Sequence, residues 1–132
     1  MSSAEKLHAC RGMPENTFNL LCAADPRQNR IVGKIHHSDL IKEFHIHCPV
    51  VARNASPGQF VIVRGDDRSE RVPLTIADFN RDTGEVTLVL QVVGLASHKL
   101  DELGEGDRIM DVVGPLGKKS EIRKFGTVVC VA

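Results

Sequence analysis

Residues 85–93 have the sequence EVTLVLQVV, which is the clearest β-strand pattern in the chain. Every second position from 86 to 90 is Val or Leu. This period of two is typical of a strand with one buried face. The side chains on the predicted opposite face are Thr87, Val89 and Gln91.

Further short apolar runs, each bounded by turn residues, surround this strand. They cover Ile31–His36, Ile41–His47, Gln59–Arg64, Leu74–Phe79 and Arg108–Val113. Turn-bounded strands at this spacing predict an all-β domain, either a sandwich or a small barrel.

Two segments depart from the strand pattern. Ala96–Leu103 predicts a short helix, with Ser97 as a suitable N-cap. Thr127–Ala132 is a continuous apolar run, which is typical of a strand buried on both faces of a parallel sheet. We therefore expect residues 126–132 to be the first strand of an α/β domain that the chain lacks.

The composition argues against some classes of function. The 132 residues contain 17 Lys plus Arg and 17 Asp plus Glu, and this net charge of zero disfavours a nucleic-acid-binding surface. No run approaches the ~20 apolar residues of a membrane span, and residues 1–11 lack the apolar core of a signal peptide. We expect a cytoplasmic protein with no nucleic-acid or membrane partner, and a weakly structured N-terminal extension over residues 1–29.

The histidines and cysteines do not predict a metal or catalytic site. His45 and His47 fall on one strand face, but no third ligand is identifiable, so solvated histidines are favoured over a metal pair. The four cysteines form no C-x-x-C pair and are expected to be reduced thiols. No catalytic constellation is recognisable, and no metal is expected.

Three short motifs are candidates for ligand binding. Arg71 offers paired donors to a phosphate and Thr75 a hydroxyl, although an edge strand beginning at Pro73 explains the same residues without a ligand. The turn Gly94–Ser97 places amide hydrogens at a helix N-terminus, but a plain serine-capped turn fits equally. Asp111–Gly117 is a rigid turn without a reactive group.

Together these motifs resemble the flavin domain of the ferredoxin–NADP reductase-like family. The resemblance rests on PGQFVIVR (57–64), ERVPLTIAD (70–78), TGEVTLVLQVVG (83–94) and GDRIMDVVGPLG (106–117). Within the family, the chain is similar to the ferredoxin–NADP reductase alpha subunit of the sulfide dehydrogenase type and to the electron-transfer subunit of dihydroorotate dehydrogenase. The resemblance implies a six-stranded antiparallel Greek-key barrel with one short helix, and an FAD-binding domain over residues 30–125.

The resemblance also implies flavin ligands in the ERVPLTIAD motif. Arg71 and Val72 are both among the implied ligands. Arg71 would reach the pyrophosphate, one position ahead of the place where many relatives carry arginine and this chain has Val72. Pro73 and Leu74 would pack on the isoalloxazine ring. Thr75 would lie beside the N5 edge of that ring.

A second set of implied ligands lies on the next strand and helix. Val89, Leu90 and Gln91 would line the ribityl and dimethylbenzene side of the flavin. Ala96 and Ser97 would hold the pyrophosphate at the helix N-terminus.

For the parent protein, the resemblance implies hydride transfer from NAD(P)H to FAD and single-electron transfer to an iron–sulfur partner. The expected partners are the missing NAD(P)-binding domain and a larger flavin/iron–sulfur subunit or ferredoxin. An iron–sulfur cluster is expected only in the parent protein or its partner. Two alternatives stay open: a non-catalytic barrel fragment or binding module that holds flavin weakly or not at all, and an unrelated β-barrel module of the translation-factor type.

Overall fold

The computed structural model describes residues 25–132, which form six strands and two short helices. The strands are β1 (Arg30–His36), β2 (Ile41–His47), β3 (Phe60–Arg64), β4 (Val72–Asn80), β5 (Glu85–Gln91) and β6 (Asp111–Leu116). The helices are α1 (Pro49–Asn54) and α2 (Leu95–Asp101). All six predicted strands are present, although β6 begins at Asp111 rather than at Arg108.

The sheet is antiparallel throughout and has the strand order β1-β2-β5-β4-β3-β6. Strands β3, β4 and β5 follow one another in space as in sequence, and β5 returns to lie beside β2, which is a Greek-key arrangement. The outer edges meet where the Ile31 N–H donates to the Asp107 carbonyl at 2.8 Å and the Ile109 N–H donates to the Asn29 carbonyl at 2.9 Å. The predicted Greek-key barrel is therefore confirmed.

The alternation in β5 places its apolar face in the core of this barrel. Val86, Leu88 and Leu90 are each 1% exposed, while Val89 between them is 42% exposed. Burying each such side chain stabilises the fold by about 1.5–3 kcal/mol. The apolar residues from other elements that share this core include Phe44, Ile46, Val51, Val61, Val63, Leu100 and Ile109.

Helix α1 adds a second helix to the single one predicted. Pro49 occupies its first position, where the missing N–H is not needed. Val51 and Ala52 are fully buried. Six residues with β-branched members have little intrinsic helix propensity, so tertiary packing stabilises this helix and the local sequence pattern does not reveal it.

The end of the predicted N-terminal extension packs on the barrel. Asp25 is 4% exposed, accepts the Arg27 N–H at 2.9 Å and lies 3.4 Å from His47 Nε2. Burial alone would raise the pKa of Asp25, but the hydrogen bonds from Arg27 and His47 and their charges outweigh burial and lower this pKa. His47 is itself buried, so the expectation of a solvated histidine is wrong for it. Residues 1–24 lie outside the described residues.

The apolar run at the other end of the sequence pairs with no strand of residues 25–132. Val128, Val129 and Val131 are 66%, 79% and 92% exposed. An apolar strand of a parallel sheet needs a neighbouring strand and cover on both faces, which the described residues do not supply. The assignment of residues 126–132 to an α/β domain therefore stays a prediction.

Candidate functional site

A groove opens where strands β4 and β5 stop pairing. Their pairing ends at Ile76 and Leu88. Beyond this point Val72–Thr75 pairs with β3, and Val89–Gln91 pairs with β2. The gap between the diverging strands has a volume of about 620 Å³, which is within the range typical of small-molecule sites.

Nine of the ten implied flavin ligands line this groove. They are Val72, Pro73, Leu74, Thr75, Val89, Leu90, Gln91, Ala96 and Ser97. The Greek-key connection thus brings together strand β4, strand β5 and the turn before α2 around one space. Arg71, the tenth, is not among the lining residues.

The β4 wall presents Pro73 and Thr75, both exposed, while Leu74 is half-buried and packs partly on the core. The Ile76 N–H donates to the Gln59 carbonyl at 3.1 Å, on the side of the preceding strand. Amides of successive strand residues point in opposite directions, so the Thr75 amide points into the groove. A ligand edge at this wall therefore meets the exposed hydroxyl of Thr75.

The β5 wall is made by the outward-facing residues of that strand. Val89 and Gln91 are exposed and provide one apolar and one amide surface. Leu90 is only 1% exposed, so its side chain belongs to the core and its backbone alone is available to a ligand. The implied role of Leu90 is thereby reduced to backbone contact.

The turn before α2 forms the end of the groove and is held by Ser97. Gly94 precedes the helix, so Ser97 is its third residue rather than its N-cap. Its hydroxyl accepts the N–H groups of Val93 and Gly94, each at 2.9 Å, and donates to the Gly94 carbonyl at 2.9 Å. The Ser97 side chain is thus engaged in shaping the turn, which leaves the backbone of Ser97 for a ligand.

Arg71 lies outside the groove. Its guanidinium is 3.9 Å from the Asp111 carboxylate, which also pairs with Arg64 at 2.6 Å. The Arg71 side chain is 60% exposed. The displacement of this arginine by one position, visible in the sequence, directs it to β6 instead of the groove.

The structure adds groove residues that the sequence interpretation missed. Arg68, Ser69 and Glu70, in the loop between β3 and β4, and Lys99 on α2 all line the groove. Two of these are cations and one is a carboxylate. Charged residues in a loop and on a short helix have the pattern of a solvated surface, and only the topology places them beside the turn before α2.

The groove contains few groups suited to acid–base chemistry. Among its described lining residues, Glu70 is the one carboxylate, and none is a histidine or cysteine. The arrangement suits binding of an elongated, partly anionic ligand more than proton transfer by the protein.

An outer-face cluster next to this site joins two histidines to one carboxylate. Glu43, opposite Val89 in the register, lies 2.6 Å from His37 Nε2 and 2.8 Å from His45 Nε2. The hydrogen bond from His37 is the largest influence and, with that from His45, lowers the pKa of Glu43.

Within residues 25–132, no group of three or more His, Cys, Asp or Glu side chains is placed to hold a metal ion. In the same residues, no helix is long and apolar enough to cross a membrane.

Comparison with known proteins finds dihydroorotate dehydrogenase electron transfer subunits among the relatives. The chain is 46% identical over 103 residues to the dihydroorotate dehydrogenase B (NAD(+)) electron transfer subunit homolog of Thermotoga maritima, covering 78% of this chain and 36% of that protein. It is 37% identical over 87 residues to the corresponding electron transfer subunit of Desulforamulus reducens, covering 64% of this chain and 33% of that protein. No protein-family model matches the sequence.

Solved structures agree with these relatives. The structure of an NADH-dependent reduced ferredoxin–NADP oxidoreductase, a protein of flavin-based electron bifurcation, superposes with a TM-score of 0.71 at 44% identity, covering 74% of this chain and 36% of that one. The cytochrome b5 reductase domain of Ulva prolifera nitrate reductase shares the fold, with a TM-score of 0.56 at 20% identity, covering 67% of this chain and 38% of that one. The chain spans about a third of the length of the curated relatives that it matches. Over the matched residues, the chain is therefore a homologue of the dihydroorotate dehydrogenase electron-transfer subunits and of the NADH-dependent ferredoxin–NADP oxidoreductase.

Proposed function

We propose that this chain is the FAD-binding domain of an electron-transfer oxidoreductase. The single observation that carries the proposal is the groove between β4 and β5. Nine residues that the family resemblance implies for flavin contact line that one space. A bound flavin supplies the redox chemistry, and the protein supplies binding, orientation and electrostatic tuning.

The groove walls support a definite division of roles. We propose that Pro73 and Thr75 hold the isoalloxazine ring, because they are the exposed residues of the β4 wall. Val89 and Gln91 line the middle of the groove. The turn containing Ala96 and Ser97 receives the phosphates, because the amides of the first helical turn have no acceptor within the helix.

The wider function extends beyond this domain. The relatives are named for NAD(+), electron transfer and ferredoxin–NADP oxidoreduction, which supports electron passage between NAD(P)H and an iron–sulfur partner such as ferredoxin in the parent protein. The chain covers 36% of the Thermotoga maritima relative, which supports an NAD(P)-binding domain or larger subunit as its partner. A cytoplasmic location stays a prediction from the sequence.

One observation favours the alternative of a barrel that holds flavin weakly. Val93 and Leu95, at the rim of the groove, are 72% and 76% exposed. A ligand in the groove therefore has apolar surface beside it that residues 25–132 leave uncovered. A second domain or subunit that packs there would shield the flavin and increase its affinity.

Equilibrium dialysis of the purified chain against FAD, followed by flavin absorbance, tests the proposed function. We expect saturable binding of one FAD per chain, and weaker binding of riboflavin, which lacks phosphates. A melting curve by circular dichroism establishes that the protein is folded under the same conditions. A folded chain that fails to bind FAD at concentrations up to about 1 mM would contradict the proposal. A dissociation constant of about 1 mM corresponds to a binding free energy of only about 4 kcal/mol.

A further inference from the structure

The phosphate end of the groove carries two cations that come from separate elements. Arg68 belongs to the loop Gly65–Arg71 between β3 and β4, and Lys99 belongs to helix α2. Both side chains line the groove together with Ala96 and Ser97. Glu70 is the one carboxylate among the lining residues, so the net charge of the wall is positive by one.

The loop that carries Arg68 is held by its own hydrogen bonds. The Asp66 carboxylate accepts the Arg68 N–H and the Ser69 hydroxyl, each at 2.8 Å. The Ser69 N–H donates to the Asp66 carbonyl at 3.3 Å. This Asx-type turn fixes the backbone from which the Arg68 side chain extends.

The two cations retain donors for an anion. None of the ion pairs among residues 25–132 includes Arg68. Lys99 Nζ lies 3.9 Å from the nearest Asp66 oxygen, which is longer than a hydrogen bond. An anion between the loop and α2 therefore meets an unpaired guanidinium and a weakly paired ammonium.

Arg71 differs from these two cations in its position. Its guanidinium lies 3.9 Å from the Asp111 carboxylate, which also pairs with Arg64, and Arg71 does not line the groove. The position after it, which faces the groove, is the uncharged Val72. The arginine of the ERVPLTIAD motif is thus not placed to neutralise a ligand in this groove.

We propose that Arg68 and Lys99 bind the pyrophosphate of the flavin dinucleotide and set the preference of the groove for FAD over flavins without a pyrophosphate. This inference rests on the proposed function. Two cations from separate elements match a group with two adjacent negative phosphates, and arginine can bind one of them through two donors. Each contact is at the surface, so we expect each to contribute about a factor of ten in affinity.

Three matched variants test the inference: Arg68→Gln, Lys99→Gln and, as control, Arg71→Gln. Each removes one positive charge, and the binding of FAD, FMN and riboflavin is measured by equilibrium dialysis at low and high salt. We expect each groove variant to weaken FAD about tenfold, to weaken FMN less, and to change riboflavin less than about twofold. Arg71→Gln should leave FAD affinity within about twofold of the original chain.

Charge-conserving variants and a competitor separate binding from folding. Arg68→Lys and Lys99→Arg should recover most of the FAD affinity, and sodium pyrophosphate should compete with FAD in the original chain but less in Arg68→Gln. Equal losses for riboflavin and FAD would overturn the inference, since the residues would then shape the groove rather than bind phosphate. A loss confined to Arg71→Gln would overturn it in favour of Arg71. Absence of FAD binding in the original chain would instead contradict the proposed function itself.

Discussion

Replacement of Thr75 by glutamate should lower the affinity of the chain for FAD by about 100-fold or more while the barrel stays folded. Thr75 is exposed on the β4 wall, so the larger side chain enters the groove and not the core. A flavin ring at that wall would either be displaced or would bury the new carboxylate away from water. Burying an unpaired charge costs several kcal/mol, and about 2.7 kcal/mol already corresponds to 100-fold.

The matched control is Thr83→Glu, because Thr83 is also an exposed threonine but lies in the turn between β4 and β5. It introduces the same charge and should leave FAD affinity within about twofold. Thr75→Ser, which keeps the hydroxyl, should bind FAD nearly as well as the original chain. Dialysis and a thermal melt are run on all three variants. If the folded Thr75→Glu variant bound FAD as tightly as the original chain, this result would contradict the proposal that β4 contacts the flavin.

Replacement of Lys34 by methionine should lower the free energy of unfolding by about 2–4 kcal/mol, the largest stability effect that we expect from a polar residue. Lys34 Nζ lies 3.0 Å from the Asp101 carboxylate and donates to the carbonyls of Asp101 and Leu103. Its side chain is 11% exposed. The variant leaves a largely buried carboxylate and two carbonyls at the C-terminal end of α2 without their cation.

The stability of Lys34→Met is measured by urea denaturation, with Lys118→Met as the control at an exposed lysine. The control should change the free energy of unfolding by less than about 0.5 kcal/mol. Since Lys34 fixes the helix whose N-terminal turn lines the groove, Lys34→Met should also weaken FAD binding. Equal stability of the two variants would show that the contacts to α2 do not support the fold.

The strands could be predicted because their signal is local. The alternation over residues 85–93 gives the strand, its buried face and its position between turns, and each is present in β5. The bounds of β6 shift because Arg108 makes a single bridge to Arg30 instead of continuous pairing. Helix α1 has no comparable signal, since the packing of Val51 and Ala52 against distant strands stabilises it.

The groove could be predicted only in part. Nine of the lining residues belong to motifs on β4, β5 and α2 that the sequence shows. The family resemblance indicated that these motifs lie close together in space. The positions of Arg68 and Lys99 depend on how a loop and a helix meet in space, which no local pattern contains. Likewise, the position of Arg71 near Asp111 depends on the pairing of β3 with β6, two strands far apart in the sequence.

The most direct measurement is a titration of the isotopically labelled chain with FAD, followed through the backbone amide signals in nuclear magnetic resonance spectra. The account predicts saturable shifts confined to the groove, at residues 72–75, 89–91 and 94–99. It predicts no comparable shifts around the separate cavity of about 380 Å³ lined by Gln28, Val50, Met110 and Val113. Shifts that cluster at this second cavity, or that leave the β4 and β5 walls unchanged at saturation, would contradict the assignment of the groove as the flavin site.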